Sequence, residues 1–297
     1  MALLICESVS KEGTFNSTNI FARYLSWFFN KEDGYDDTGL VAINAFQEAM
    51  HTLVDPKQTT FDVSSIEEKL SIETIAAISK STHDNLDGYT AGVNGSHRGC
   101  VLSMFSAFNV DQLLNLAKME TTMTHCHPLA YQTTQISVLL CRLLMLQGAN
   151  TKSSWWQELS SEISNHINPL EDQLQSALCD ILGSDDDFEE TLNCFPTNNK
   201  SKQIKRDGFS PHVLRASLFF LRKHTSKKAL EYTNHDEIVK NCLEDSFLFA
   251  GKANYCPVLL GAFLGSMFGS AAIEPHITNC QCLDRVRIVA NKISNTW

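Results

Sequence analysis

Ala253 to Ile273 is a run of twenty-one residues without a charged side chain. A run of that length and polarity either crosses a bilayer or fills a protein core. Its own residues favour the core. It contains Asn254, Pro257 and three glycines, Gly261, Gly265 and Gly269, spaced four apart. Proline in the first turn of a helix loses no hydrogen bond that the helix needs, so Pro257 marks a start. Each interior glycine costs a helix about 1 kcal/mol against alanine. Three on one face therefore predict a second backbone passing close by. The preceding residues, Ala250 to Tyr255, have no apolar period and read as a loop. A loop feeding a helix N-terminus offers free N–H groups and a positive dipole end, a setting that favours anions.

The rest of the chain has helical periods and caps. Apolar positions Ile20, Tyr24, Trp27 and Phe28 fall on one face of an expected helix over Asn16–Phe29. Further helices are expected over Met1–Val9, ended by Gly13, and over Gly39–Leu53, Ser71–Ser79, Val101–Phe108 and Val110–Lys118. Pro128–Gly148, Ser153–Ile167, Pro169–Leu182, Pro211–Lys223, Ser226–Tyr232, Asp236–Leu243 and Val286–Ile293 follow. Asp84–Arg98 reads as a glycine-punctuated loop, and Ser210 as a cap. Two-residue alternation is almost absent and no fixed-period repeat is visible. The expectation is one all-α domain over residues 1–297, built of roughly a dozen helices.

Composition narrows the function classes. The net charge of −10 opposes nucleic acid as a default partner, which needs a basic surface. The clusters Lys200–Arg206 and Arg222–Lys228 read as solvated loop and helix-end charges. Ten cysteines lie mostly in apolar runs, among them Cys6, Cys141, Cys179, Cys242 and Cys256, and read as core thiols of a reducing, cytoplasmic chain. No membrane segment and a monomeric state are expected. His125 and His127 stand two apart, which is not one helical face, so they read as hydrogen-bonding residues at the start of a helix. Asp185–Asp187 reads as a helix-capping run.

Four segments in order resemble the ADP-ribosylglycohydrolase family over about residues 1 to 277. Gly92-Val93-Asn94-Gly95-Ser96-His97-Arg98 is similar to its Gly-Asn-Gly-Ala-Ala-Met-Arg loop near the ADP-ribose. Thr124-His125-Cys126-His127-Pro128 is similar to its Thr-His-x-x-Pro helix start. Asp207-Gly208-Phe209 with Val213–Phe220 resembles its Gly-Tyr-x-Val…Ala-Leu segment. Gly261-Ala262-Phe263-Leu264-Gly265 and Ala272-Ile273-Glu274-Pro275 resemble its glycine- and alanine-rich helix and the exit from it. Within the family the look is nearest the J1 crystallin and selenoprotein J branch.

The resemblance implies an all-α fold, an ADP-ribose-like ligand, and ligand contacts from Gly95, Ser96, His97, Arg98, Gly251, Lys252, Asn254 and Tyr255. It also implies a lost chemistry. Family members hold two magnesium ions through aspartates of a Gly-Gly-Asp-Thr-Asp-Thr loop and an earlier Thr/Ser-Asp-Asp-Thr motif. The chain has Lys252 and Asn254 where the loop aspartates stand, and Tyr255 at the following threonine. Met1-Ala2-Leu3-Leu4 resembles the helix immediately after the earlier motif, so the family's first metal ligands are expected to be missing. Asp36 and Asp37 are substitute metal ligands or, one loop too late for the motif, helix-capping residues. No catalytic residue and no metal cofactor are therefore expected. Three functions follow from the resemblance: an inactive relative that binds ADP-ribose-type ligands or partners, a metal-dependent hydrolase with substituted ligands, or a crystallin-like structural protein.

Overall fold

The computed structural model describes residues 1–32, 35, 38–53, 61–148, 154–195, 204–226, 230, 234–251, 253, 255–277 and 282–294. All regular elements among them are helical, with no strand. The chain divides into two compact units, residues 1–134 with 284–297, and residues 135–283.

The first unit begins with α1 (Ala2–Glu12), α2 (Ser17–Phe29), α3 (Leu40–Leu53), α4 (Val63–Glu67) and α5 (Ile72–Asn85). α6 (Asn94–Gly99), a 3-10 turn (Cys100–Met104) and α7 (Val110–Thr122) follow. The start of α8 (Pro128–Gln147) and the last helix, which we number α16 (Leu283–Ser294), complete it. Local chemistry sets most of these bounds. The Asn16 side chain accepts the Asn19 N–H at the head of α2, and Ser71 does the same for Thr74 at the head of α5. Asn109 and Gln112 form a reciprocal capping box at α7. Gly13 ends α1 in the left-handed conformation, φ 69°. An aromatic cluster fills the core: the Phe46 ring lies 5.2 to 6.3 Å from Phe21, Tyr24 and Phe28. Two bonds from Arg285 to Glu7, 2.8 and 3.0 Å, tie α16 to α1.

The second unit holds most of α8, then α9 (Trp155–His166), α10 (Asp172–Leu178), α11 (Asp185–Asn193), α12 (Ser210–His224), α13 (His235–Ala250), α14 (Tyr255–Phe268) and α15 (Ser270–Ile273). α12 is buried around nearly its whole circumference and packs along α13 and α14. That is the pattern of a central helix. Arg222 on α12 is a structural node. Its guanidinium lies 4.1 Å from the Trp156 ring centre and 4.5 Å from that of Phe188. It also donates to the Ile181, Gly183 and Ser184 carbonyls and to Asp185. The acidic run is a capping device as expected, with Ser184 and Asp187 closing a capping box on α11.

Several expectations need correction. The expected loop Asp84–Arg98 is partly helical, because α5 runs on to Asn85 and α6 starts at Asn94. The expected helix over Val101–Phe108 is a short 3-10 turn that stops at Met104. Ser210 lies inside α12 and does not cap it; the Asp207 carboxylate instead accepts the Phe209 N–H. Cys179 is exposed, not a core thiol. Among the described residues, no atom beyond the local helix backbone comes within 4 Å of a Cβ built on Gly261 or Gly265, so no described backbone crosses there. Gly269 has φ +75° and breaks the run, leaving α14 fourteen residues long. Among the described residues only α8 is long and apolar enough to cross a membrane, and two thirds of its apolar window is buried within the protein.

Candidate functional site

Gly95, Ser96, His97 and Arg98 all fall on the single turn of α6. This turn is seated so closely that side chains have no room at its glycines. A Cβ on Gly95 would meet Thr121 Cγ2 at 2.5 Å, and one on Gly99 would meet Thr134 Cγ2 at 2.7 Å. Gly39, just before α3, meets the Asn94 side chain in the same way, at 2.5 Å. Hydroxyls bind the turn to its neighbours. Ser96 Oγ and Thr134 Oγ1 are 3.2 Å apart, and Thr121 Oγ1 donates to Thr134 Oγ1 at 2.8 Å.

Arg98 is 3% exposed and turns inward. Its Nε donates to Glu120 Oε1, and its Nη2 donates to Thr124 Oγ1 at 2.7 Å. The Tyr24 hydroxyl also donates to Glu120 Oε1, at 2.8 Å, and the guanidinium lies 5.6 Å from the Tyr24 ring centre. Burial lowers the Arg98 pKa, but the charges and hydrogen bonds of Glu120 and Tyr24 together outweigh it, so the net shift is upward and the guanidinium stays charged. Burial, aided by the Glu120 charge, pushes the Tyr24 phenol well above its usual range. This is a buried ion pair with its hydrogen bonds largely in place, and it holds α6 against α7 and α2.

The network continues to His125. Thr124 Oγ1 accepts from Arg98, so its own proton has one acceptor among the described contacts, His125 Nδ1 at 2.7 Å. That assigns the ring proton to Nε2. Burial and then the Arg98 charge hold the His125 pKa well below its usual value, so the ring is neutral. Its Nε2 is buried and has no hydrogen-bond partner among the described residues. The atom lies 3.4 Å from the Cβ position of Gly92, at the head of the α6 segment. Arg98 Nη1 and Glu120 Oε2 are likewise buried without partners. The helix-start hydrogen bonding expected of His125 is therefore half the story: Nδ1 is bonded and Nε2 is not. The resemblance matched His125 as part of a helix start and did not name it among the ligand contacts.

Within the second unit, the Tyr255 ring lies against Gly208, 3.2 Å from that residue's Cβ position. The Asp207 carboxylate beside it accepts the Phe209 N–H at 3.1 Å and contacts His212 Nδ1 at 2.8 and 2.9 Å. Gly251 caps α13 with φ 57° and ψ −123° and is exposed. Lys252, Asn254, Asp36 and Asp37 lie outside the described residues.

The described side chains do not fit a magnesium pair. No group of three or more His, Cys, Asp or Glu side chains among them comes together as a metal set. The buried carboxylate next to α6, Glu120, faces the Arg98 cation, which would repel a second one.

A solved structure described as an ADP-ribosylglycohydrolase-related protein complex is similar over 99% of this chain and 79% of its own, with a TM-score of 0.60 and 17% identity. At that identity the likeness establishes the fold. No curated protein matches. The family model for ADP-ribosylglycohydrolase matches residues 1–295. By that match and the shared all-α fold, the chain belongs to the ADP-ribosylglycohydrolase family.

Proposed function

We propose that this chain is a catalytically inactive member of the family that binds an ADP-ribose-type ligand at the α6 turn. The observation that carries the reading is the buried, unpartnered Nε2 of His125 at Gly92. A buried donor without an acceptor costs about 1–3 kcal/mol. A ligand oxygen, from a phosphate or a sugar hydroxyl, would satisfy it. Because the ring is neutral, it serves as an oriented donor and not as a charge. Gly92, at the head of the α6 segment, lies against this nitrogen, and Arg98 holds α6 in position through Glu120 and Thr124. Inactivity rests on the sequence, where Lys252 and Asn254 stand at the positions of the family's loop aspartates. Any diphosphate contact at that loop would come from Lys252 and from the N–H groups near Gly251.

Calorimetry and thermal shift with ADP-ribose test the reading. ADP-ribose should raise the unfolding midpoint, because it binds the native state alone. The gain should survive EDTA. It should weaken about tenfold in His125→Phe, which keeps an aromatic ring but removes both ring nitrogens, a change worth about 1.4 kcal/mol. No ADP-ribose should be released from ADP-ribosylated peptide. Loss of binding in EDTA, or turnover that magnesium restores, would identify a metal-dependent hydrolase. No binding at all, with His125→Phe folding normally, would leave the structural-protein reading.

A further inference from the structure

Sulfur is gathered at one point of the first unit. Met119, Met123 and Cys126 stand at i, i+4 and i+7, which is one helical face. α7 ends at Thr122, but the Met123 N–H donates to the Glu120 carbonyl at 3.3 Å and the His125 N–H to the Thr121 carbonyl at 2.9 Å. The helical turn therefore carries on toward Cys126. All three residues line one solvent-open cavity of about 170 Å³ between α5 and α7. Ile72 and Ile75 of α5 give it an apolar wall, and no Asp, Glu or His lines it among the described residues. Met123 is 2% exposed, whereas Met119 and Cys126 are half-buried. Packing alone would use the methionines as gap-fillers, yet the space between them and α5 is left open.

The bonds that the sulfurs make leave them able to donate to a metal. Cys126 Sγ donates to the Ser79 carbonyl at 3.5 Å, which uses its proton and not its lone pairs. Asn115 Nδ2 donates to Met119 Sδ at 3.5 Å, which uses one of two lone pairs. Ser79, also in the lining, is 1% exposed, and its hydroxyl has no hydrogen-bond partner among the described residues.

We propose that this cavity binds Cu(I) through the Cys126 thiolate and the Met119 and Met123 thioethers. Thiolate and thioether sulfur are soft donors that select Cu(I), whereas magnesium and calcium need oxygen ligands that the lining lacks. On binding, the Cys126 S–H bond breaks, a Cu–S bond forms and the proton leaves to solvent, with no change of oxidation state. Thiolate and Cu(I) sum to zero charge and the thioethers add none, so the assembly suits an apolar wall. Loss of the proton ends the bond to the Ser79 carbonyl. The unpartnered Ser79 hydroxyl is a donor that the metal-bound thiolate can take in its place.

The test follows the methyl groups of the seven methionines by carbon-13 NMR of the full chain. Ag(I), a soft ion of the same charge, is added until no resonance moves further, so that the exposed thiols Cys179 and Cys282 are saturated as well. The Met119 and Met123 methyls, identified by their loss in Met119→Leu and Met123→Leu, should shift together. Zn(II) should leave both in place. Cys126→Ser should abolish both shifts, and Cys179→Ser should not. With Cu(I) held anaerobically against a Cu(I)-selective chelator and read at the Met123 methyl, Met119→Leu should weaken binding about tenfold. Ser79→Ala should weaken it by about the same factor. Circular dichroism of each variant establishes that it folds. Unmoved Met119 and Met123 methyls at saturating Ag(I), shifts that persist in Cys126→Ser, or unchanged Cu(I) affinity in Met119→Leu would overturn the proposal and leave these side chains as packing.

Discussion

Two glycine-bearing segments of this protein look alike in sequence and differ in what surrounds them. Around the α6 turn, Gly95 and Gly99 sit against threonine side chains that a Cβ would strike at 2.5 and 2.7 Å. Those threonines are β-branched and stiff, and Thr121 and Thr134 are bonded to each other, so they have little freedom to give way. On α14, Gly261 and Gly265 meet nothing within 4 Å among the described residues. The first segment requires glycine because a neighbour occupies the space. The second accepts glycine at a cost in helix propensity with no packing gain inside the unit. Four-residue glycine spacing therefore did not identify the tight site; the buried polar partners did.

The comparison breaks most readily at the ion pair that holds the tight segment. Glu120→Ala removes the partner of a guanidinium that is 3% exposed. Stripping one member of a buried pair typically costs about 3–5 kcal/mol, because the survivor stays buried and uncompensated. Urea unfolding should show a midpoint shift of that size, with the slope unchanged. A loss below about 1 kcal/mol would mean that water reaches Arg98 and that α6 is not pinned as described.

Gly95→Ala probes the tight packing directly. Overpacking of a well-filled interior costs about 1–3 kcal/mol, and the contact to Thr121 places this change in that class. The paired variant Gly95→Ala with Thr121→Ser should recover part of the loss, since Ser lacks the Cγ2 that the new methyl would strike. Independent, additive effects of the two changes would show that the clash is not the cause.

The fold class was legible because helical period and capping are local. Asn16, Ser71, Asn109 and Gly13 cap where their chemistry says they should. Asn85 and Met104 were not legible as helix ends. Whether α5 runs on, or a helix tightens to a 3-10 turn, depends on tertiary packing that outweighs propensity. The family's segment order located α6 and the turn before α8. The inward turn of Arg98 had no local signal, since Glu120 lies 22 residues away and a His-Arg pair on a glycine-rich turn equally suits anion binding. His125 was visible as a helix-start residue. Its orphaned nitrogen was not, because that depends on a three-residue proton arrangement through Arg98 and Thr124.

That arrangement has a pH signature confined to the tight segment. His125 is held neutral, with its pKa well below the ordinary 6.5, by burial and then by Arg98. The unfolded chain takes up a proton near pH 6.5 where the folded chain does not. The associated stability is present above that pH and is lost as pH falls below it. The slope is about 1.4 kcal/mol per pH unit, so roughly 1.4 kcal/mol is gone by pH 5.5. His224, also lowered mainly by burial, contributes in the same direction. The measurement is therefore the difference between wild type and His125→Gln, followed by urea unfolding from pH 7.5 to 5.5. The wild type should lose more stability over that range, and parallel curves would remove His125 from the buried network.

The smallest effect has the opposite sign and separates the two segments most cleanly. Gly261 lies in the interior of α14, its φ is ordinary, and a Cβ there meets open space. Alanine at that position restores helix propensity and narrows the unfolded ensemble, a gain of about 0.4–1 kcal/mol. Gly265→Ala should behave alike, and the two should add, since neither new methyl has a neighbour to share. Gly269→Ala should not follow them, because φ +75° strains any residue with a Cβ and the gain becomes a loss. A stabilised Gly261→Ala beside a destabilised Gly95→Ala would show that the same substitution reads local space and nothing else. If Gly261→Ala instead destabilises the protein in solution, something in solution lies against that face of α14, and the contrast between the two segments is smaller than their neighbours suggest.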